Sequence, residues 1–380
     1  MAKNYELATS PAFILEEQLL RQNLELLRQV QTEANISIIL ALKAFAMWRV
    51  FPTVAEYLSG ATASSLNEAR LIYEEMGQKA HTYAVAYSPT DFQQIMDYSS
   101  HITFNSLQQY QQHQQQIDKH AAPISCGIRI NPEYATVETS LYNPAAKGSR
   151  LGVTSEILRH DLPDGIEGLH FHTLCESNAS DLERTLAVVE SKFGQHLPQL
   201  KWLNMGGGHL ITGKNYEVSH LIRLLKNFKN RYPNLDIILE PGSAIAWQTG
   251  VLLASVLDIV TNSDVRTAIL DVSFTAHMPD TLEMPYRPAI RGASDTKQGR
   301  HLYRLGGVSC LAGDYLDAYA FDTPLKIGDR IIFEDMIHYT MVKTSFFNGV
   351  QHPAIYYLRT NGTMELVRQF DYKDFRKRLG

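Results

Sequence analysis

Eight short runs of β-branched and apolar residues lie between Ile36 and Gly242, separated by segments with the spacing of amphipathic helices. The predicted strands are residues 36–43, 61–65, 81–87, 101–105, 124–130, 166–173, 202–206 and 236–240. This alternation constrains the fold most, because strands separated by helices pair in parallel through right-handed crossovers. Eight such units over about 200 residues predict an α/β fold, a (β/α)8 barrel of the TIM type.

After Gly242 the pattern changes to strands separated by turn signals, and helical periods become scarce. Strands are predicted at residues 250–261, 267–274, 301–308, 330–333, 339–347 and 354–359, and a further strand at residues 6–14. The sequence therefore predicts a barrel over residues 15–245. A second, all-β domain of sandwich-like or barrel-like type is predicted over residues 246–380, joined by the strand in residues 1–14.

Composition and charge exclude several classes of protein. The chain has 35 Lys and Arg against 40 Asp and Glu, a formal net charge of −5, so it lacks the basic footprint of a nucleic-acid-binding protein. The longest apolar run, residues 36–46, is interrupted by Lys43 and is shorter than the roughly 18 residues of a membrane span. Three cysteines without a CxxC pair, and no signal-like N-terminus, predict a cytoplasmic protein without membrane association.

Barrel enzymes carry their chemistry at the carboxyl ends of the strands. Lys43 ends the first predicted strand in the string ISIILALKAF. Burial there would lower the pKa of the lysine and favour attack of its amine on a carbonyl to form a Schiff base. The alternative is a lysine that extends along the strand rim to reach solvent.

The last three predicted strands end with three further candidates. His170 and His172, two residues apart, suit a metal pair, a satisfied interior position or a ring stacked on a flat ligand; no third and fourth ligands are evident, so no metal site is predicted. Gly206, Gly207 and Gly208 form either a phosphate-binding loop or a tight turn. Glu240 suits a base, a metal ligand or a partner for a ring nitrogen.

Together these groups describe a site for pyridoxal 5′-phosphate. They offer an amine for the aldehyde, a ring to stack on the pyridine, a phosphate loop and an acid for the pyridinium nitrogen. The order of Lys at the first strand, His at the sixth, Gly at the seventh and Glu at the eighth is much harder to obtain by accident than any single feature.

The sequence resembles the alanine-racemase-like, fold-type III pyridoxal phosphate decarboxylases over essentially the whole chain. Within that family it is most similar to the carboxynorspermidine/carboxyspermidine decarboxylases. The similarity lies in the strings ALKAF, FHTLCES, NMGGGH, TAHMPDTLEMPYRP, GGVSCLAGD and IHYTMVKTSFFNGV. It implies that Lys43 holds the cofactor covalently and His172 stacks on its ring. It also implies that Gly206 to Gly208 and Tyr339 bind the phosphate and Glu240 faces the pyridine nitrogen.

The resemblance also implies a homodimer with shared active sites, because Cys310 matches the cysteine that reaches the neighbouring subunit's site in ornithine and diaminopimelate decarboxylases. Two positions depart from those enzymes: Leu311 replaces an acidic residue, and Ser243 replaces the arginine that follows Glu-Pro-Gly. Both departures argue against ornithine and diaminopimelate as substrates.

The predicted reaction is the decarboxylation of carboxynorspermidine or carboxyspermidine to norspermidine or spermidine, with Cys310 or Lys43 returning a proton to the α-carbon. The cationic amines of such a substrate call for carboxylates and aromatic faces. By motif position the candidates are Asp271, Glu176, Asp314, His277 and, less directly, Glu283.

Three other functions remain open on the sequence. One is decarboxylation of another basic amino acid, of the diaminopimelate, ornithine or lysine type. The second is a non-catalytic pyridoxal phosphate protein, although such a regulator would be expected to lose Lys43, Glu240 or Cys310. The third is racemisation, which Glu240 disfavours because alanine racemases of this fold usually place an arginine at the pyridine nitrogen.

Overall fold

The computed structural model describes residues 5–137, 142–283, 286–294 and 301–380. The chain divides into two compact units, of which one is Asn23–Ile245 and the other combines the described residues up to Gln22 with Ala246–Gly380. In the described part of the chain, no helix combines the length and the apolar character that crossing a membrane requires.

A closed barrel of eight parallel strands forms the centre of the first unit. In chain order, β1 (Ala12–Glu16) and α1 (Glu17–Ala34) come before the barrel strands. Ser37 of the first barrel strand pairs with Ile238 of the last, which closes the barrel. Each of the eight predicted barrel strands overlaps an observed one, and the prediction of a TIM-type barrel is confirmed. The barrel strands are β2 (Ser37–Ala41), β3 (Gly60–Ala63), β4 (Ala80–Tyr83), β5 (Ser99–Phe104), β6 (Ser125–Arg129), β7 (Ile166–His170), β8 (Trp202–Asn204) and β9 (Asp236–Leu239).

Helices connect most of these strands, and their ends follow local capping rules. The Ser65 side chain accepts a hydrogen bond from the backbone N–H of Glu68 at the start of one helix, and Asn178 and Asp181 form a reciprocal capping box at another. The helices are α2 (Phe51–Ala55), α3 (Leu66–Met76), α4 (Phe92–Tyr98), α5 (Leu107–Asp118), α6 (Ala179–Phe193), α7 (Val218–Arg231) and α8 (Ser243–Ala246).

Trp202 fills the barrel interior beside Ile39 and Ile238. A Cβ atom placed on Gly168 would lie 2.0 Å from the indole ring, and one on Gly127 would lie 2.2 Å from it. The two glycines therefore leave the space that the indole occupies. Because this large side chain packs the interior, the barrel is a filled core and its open positions lie at the rim.

The second unit is a nine-stranded, mostly antiparallel sheet. Eight strands lie in the order β12, β14, β13, β11, β10, β1, β16 and β17, and β15 pairs with β10. The N-terminal β1 thus lies between β10 and β16, two strands from the C-terminal part of the chain. The separate β domain is confirmed. Its elements are β10 (Gly250–Asn262), β11 (Val265–Leu270), α9 (Phe274–His277), α10 (Asp280–Glu283), β12 (Ala293–Ser294), β13 (His301–Gly306), β14 (Tyr315–Phe321), β15 (Arg330–Glu334), β16 (Ala354–Leu358), β17 (Met364–Arg368) and α11 (Tyr372–Leu379).

The strand predicted at residues 339–347 is wrong. Tyr339 has a φ of 44°, in the left-handed region, and Met341–Lys343 form a short 3-10 turn. The β-branched and aromatic residues of this segment resemble a strand pattern, but Val342 and Phe347 are exposed and do not pack into the sheet. Among the elements that the sequence did not predict are β14, β17 and α11.

Candidate active site

Four of the sequence-predicted groups lie at one rim of the barrel unit, because parallel strands all end on the same side. Lys43 follows β2, His172 follows β7, Gly206 to Gly208 follow β8, and Glu240 follows β9. The charges of Lys43 and Glu240 act on each other and on His172. These groups therefore share one site.

Glu240 is held by two hydrogen-bond donors. His170 Nε2 lies 2.9 Å from Oε1, and Asn204 Nδ2 donates to Oε2 at 2.9 Å. Burial by itself raises the pKa of this carboxyl group, but its interactions with His170 and Asn204 outweigh burial and lower the pKa to about 2. The group is therefore a carboxylate at neutral pH, the state that holds a proton on a ring nitrogen.

The His170 ring stacks on Tyr83, which in turn contacts Arg129. Its centroid lies 5.4 Å from that of Tyr83, and the guanidinium of Arg129 lies 4.7 Å from the Tyr83 ring centroid on the ring face. His170 is directed at Glu240 rather than paired with His172. Among the described residues, no group of three or more His, Cys, Asp or Glu side chains is arranged to hold a metal ion.

Lys43 lies at the rim and is partly enclosed by protein atoms. Its side chain is accessible to solvent, yet surrounding protein atoms displace much of the bulk water around the amine. This burial lowers the pKa of Lys43, the positive charge of Arg129 lowers it further, and the negative charge of Glu240 opposes both. A lowered pKa increases the fraction of neutral amine, the form that attacks an aldehyde.

His172 is held in its neutral form. Burial lowers its pKa well below the ordinary value, and the positive charges of Lys43 and Arg129 act in the same direction. The backbone N–H of Gly207 donates to Nδ1 at 3.0 Å, which places the ring proton of the neutral form on Nε2. A neutral, oriented imidazole suits stacking on a flat ring.

The glycine loop after β8 packs tightly against its neighbours. Gly206 and Gly208 have positive φ angles of 71° and 85°. A Cβ atom on Gly207 would lie 2.3 Å from the backbone oxygen of Glu240. The N–H of Gly206 donates to Asn204 Oδ1 and that of Gly207 to His172, so these two donors already have partners inside the protein. The loop after β8 thus contacts the residues that follow β7 and β9.

The rim fits pyridoxal phosphate in the chemistry of its groups. Lys43 supplies an amine with a lowered pKa, Glu240 an ionised carboxylate and His172 a neutral ring. These three groups are what the aldehyde, the pyridine nitrogen and the ring face of the cofactor require.

Sequence reasoning missed several residues of this rim. Tyr83, Arg129 and Asn204 are not among its candidates, although each is the last residue of its strand, as His170 is of β7. The signal was available: in a barrel, a polar residue that ends an apolar strand lies at the rim that carries the chemistry. Cys175 and Glu68, whose ionised forms would raise the pKa of Lys43, carried no comparable signal.

Two of the predicted substrate carboxylates, Asp271 and Asp314, accept hydrogen bonds within the second unit. Asp271 Oδ1 accepts from the backbone N–H of Ser255 at 2.8 Å. Asp314 accepts from the backbone N–H of Thr275 and from both the N–H and Oγ of Ser309. Both carboxylates therefore help to hold the backbone of this unit.

The other candidates differ in their surroundings. His277 is buried, its Nδ1 accepts from the N–H of Ser273, and burial lowers its pKa to about 4. Glu283 forms an ion pair with Lys343, and Glu176 is exposed. Met284 and Pro285 of the string TAHMPDTLEMPYRP lie outside the described residues. Two further predicted residues of the second unit are Tyr339, in the loop after β15, and Cys310, which is exposed on a turn.

The fold and the rim define a class of protein, a pyridoxal phosphate enzyme with a parallel barrel and a separate sheet domain. The model of the family described as "Pyridoxal-dependent decarboxylase, C-terminal sheet domain" matches residues 73–337, more than half of the chain. The chain belongs to the pyridoxal-dependent decarboxylases.

Individual relatives resemble the chain over nearly its full length. A carboxyaminopropylagmatine decarboxylase from Synechocystis is 54% identical, covering 98% of this chain and 95% of the relative. A carboxynorspermidine/carboxyspermidine decarboxylase from Campylobacter jejuni is 44% identical, covering 98% of both chains. The crystal structure of carboxynorspermidine decarboxylase from Campylobacter jejuni, complexed with norspermidine, matches with a TM-score of 0.90 at 44% identity and covers 97% of this chain and 100% of that chain.

We expect Asn204→Asp to raise the pKa of Glu240. The variant keeps an acceptor for Gly206 but replaces the donor to Glu240 with a like charge, which disfavours the ionised form. Glu240 then becomes protonated at a higher pH, so the affinity for pyridoxal phosphate falls at acidic pH. The midpoint of that loss should move upward by about one pH unit or more, equivalent to about 1.4 kcal/mol per unit.

The measurement is a titration of the apoenzyme with cofactor, followed by absorbance, over a series of pH values. Asn227→Asp, the same chemical change at an exposed position of α7, is the control and should leave the pH dependence unchanged. An Asn204→Asp profile that coincides with that of the wild type would show that Asn204 does not set the ionisation of Glu240.

Proposed function

We propose that this decarboxylase acts on a carboxylated polyamine, converting carboxynorspermidine or carboxyspermidine to norspermidine or spermidine. The similar enzyme from Campylobacter jejuni carries that name, and the similar crystal structure holds norspermidine. The observation that carries the chemistry is the presence on one rim of the Lys43 amine, with its lowered pKa, and the ionised Glu240 carboxylate.

The residues of the rim have separate tasks in this proposal. Pyridoxal phosphate, when bound, supplies a ring that accepts the electron pair left when the carboxylate departs. Lys43 would hold the cofactor through its side-chain amine, the group that reacts with an aldehyde. Glu240 keeps a proton on the pyridine nitrogen, and His170 and Asn204 keep Glu240 ionised and oriented. His172 would cover one face of the ring as a neutral imidazole. Gly206 to Gly208 would receive the phosphate by close approach of their backbone, since the N–H groups of Gly206 and Gly207 already have partners.

Cys310 is proposed to return the proton to the α-carbon. It lies on an exposed turn of the second unit, between the exposed apolar residues Val308 and Leu311. Phe347, also exposed, precedes Asn348, which accepts a hydrogen bond from the backbone N–H of Cys310. Exposed apolar side chains around a functional residue favour burial against a partner. We propose that the partner is a second copy of the chain and that each copy contributes Cys310 to the other's site.

Carboxylates are proposed to bind the amines of the substrate. Glu176 is exposed and directly follows Cys175, whose ionised form would raise the pKa of Lys43. This position supports Glu176 as the candidate from the barrel unit. Asp271, Asp314 and His277 remain candidates in the second unit. Their hydrogen bonds to the backbone give Asp271 and Asp314 a part in folding as well.

A second candidate substrate is carboxyaminopropylagmatine, because the 54% identical relative from Synechocystis is named for it. By their names the candidate substrates share a carboxylated aminopropyl group on a cationic chain. They differ at the far end, where agmatine carries a guanidinium and the other polyamines a primary ammonium. The choice therefore depends on the groups at that end, since a planar guanidinium favours a bidentate carboxylate.

We propose that the enzyme acts in the cytoplasm. Its three cysteines are free, and two of them, Cys175 and Cys310, are exposed. Exposed thiols persist in a reducing compartment, and the role proposed for Cys310 requires one.

Lys43→Ala should abolish carbon dioxide release and the absorbance band of the lysine-bound cofactor. The substitution removes the amine that holds the aldehyde, whereas Glu240 and His172 stay in place. Lys226→Ala, which removes an exposed lysine from α7, should leave the band and the turnover at wild-type values. Turnover of the preferred substrate by Lys43→Ala at the wild-type rate would refute the assignment.

The substrate proposal predicts a ranking by kcat/KM. Purified holoenzyme is assayed for carbon dioxide release with carboxynorspermidine, carboxyspermidine, carboxyaminopropylagmatine, diaminopimelate and ornithine. The first two should exceed ornithine and diaminopimelate by about a hundredfold or more, since unmatched charges in a pocket cost several kcal/mol. Carboxyaminopropylagmatine in first place would select the second candidate, and diaminopimelate or ornithine in first place would reject both.

Shared active sites predict complementation between two impaired variants. Lys43→Ala and Cys310→Ala each damage a different half of the site, so mixed dimers contain one site with neither change. After equal amounts are unfolded, mixed and refolded, activity should reach about a quarter of the wild-type value, as expected for random pairing in a twofold dimer. Activity no higher than the average of the two separate variants would argue against sharing.

A further inference from the structure

Cys310 lies near the tip of a turn whose base is held by backbone hydrogen bonds. We call residues 307–314 the cysteine turn. The backbone N–H of Gly307 donates to the carbonyl of Asp314 at 2.6 Å, and the N–H of Val308 donates to the carbonyl of Val272 at 2.9 Å. The two ends of the turn are thus joined to each other and to the chain that follows β11.

The inside of the cysteine turn is filled by the carboxylate of Asp314. This residue is 4% exposed and accepts hydrogen bonds from Ser309 N–H, Ser309 Oγ and Thr275 N–H. A Cβ atom on Gly307 would lie 2.3 Å from the carboxylate, so glycine there leaves room for it. These contacts fix the base of the turn but do not reach the backbone of Cys310.

Asn348 supplies the contact at the tip. Its Oδ1 accepts a hydrogen bond from the backbone N–H of Cys310 at 2.9 Å, across 38 positions in the sequence. Asn348 has φ 56° and ψ 14°, a left-handed conformation that asparagine tolerates better than most residues. The backbone at this position therefore favours asparagine, aspartate or glycine, and of these only the first two can accept the hydrogen bond.

The segment that carries Asn348 is itself anchored. The N–H of Ser345 donates to the carbonyl of Ala276 in α9 at 2.7 Å. The ring of Phe346 lies 3.8 Å from that of His352 and 6.0 Å from that of Phe375 in α11, measured between centroids. The segment that carries the acceptor oxygen of Asn348 is thus held by a backbone hydrogen bond and by ring contacts.

We propose that Asn348 is a positioning residue that holds the Cys310 backbone so that the thiol delivers its proton to the α-carbon. The inference rests on the role proposed for Cys310. In that step the bond from the α-carbon to the carboxylate breaks and carbon dioxide leaves. The Sγ–H proton then forms the new C–H bond, and the thiolate recovers a proton from solvent. A thiol displaced at this moment leaves the carbon to be protonated elsewhere, so carbon dioxide is released without the amine product.

Two substitutions separate the hydrogen bond from the backbone conformation. Asn348→Gly keeps the left-handed backbone and removes the acceptor oxygen, whereas Asn348→Asp keeps both. For each holoenzyme the ratio of amine product to carbon dioxide is measured, and the rate at which iodoacetamide alkylates Cys310 is followed by peptide mass spectrometry. Cys175, also exposed, is the reference thiol in the same sample.

For Asn348→Gly we expect the ratio of amine to carbon dioxide to fall toward that of Cys310→Ala. Alkylation of Cys310 relative to Cys175 should change by about threefold or more, the scale of one net hydrogen bond. The KM for substrate should stay within about twofold, and Asn348→Asp should restore both readouts, because the lost element is a single acceptor.

The inference is overturned if Cys310→Ala uncouples the two products but Asn348→Gly keeps the wild-type ratio. It is also overturned if Asn348→Asp behaves as Asn348→Gly does. If Cys310→Ala itself forms amine and carbon dioxide in equal amounts at the wild-type rate, the role proposed for Cys310 fails, and the positioning role fails with it. The decarboxylation proposed for the residues at the barrel rim would still stand in that case.

Discussion

The pairing of the first and last barrel strands is the constraint on which the site depends. Lys43 and Glu240 are almost 200 positions apart in the chain, and they become neighbours because β2 and β9 pair in parallel and close the barrel. The backbone beyond the strand ends is close enough that a Cβ atom on Gly242 would lie 2.5 Å from Cβ of Ala44. Closure therefore brings the Lys43 amine and the Glu240 carboxylate to the same part of the rim.

The rim places ionisable groups in environments that give them different charge states. Burial and Arg129 favour the neutral amine of Lys43, whereas donors from His170 and Asn204 favour the ionised carboxylate of Glu240. His172, buried beside two positive charges, stays neutral. Adjacent groups whose pKa values are separated in this way can act as base and acid at the same pH.

The barrel could be predicted from the sequence because each of its strands has a local signature, a short apolar run between helical segments. The same reasoning predicted Lys43, His172 and Glu240, since they stand where predicted strands end. It failed at residues 339–347, where β-branched and aromatic residues lie in an exposed loop with left-handed Tyr339. It also overlooked Arg129 and Asn204, whose importance comes from what they contact across the barrel.

The sequence by itself determined the order of strands and helices and the residue types at the strand ends, because periodicity and composition are local properties. Only the tertiary structure decided that His170 and Asn204 donate to Glu240 and that Asn348 accepts from Cys310, since these partners are separated by tens of positions. A hydrogen bond depends on distance and direction in space, and no local pattern specifies which distant donor will arrive at a given acceptor.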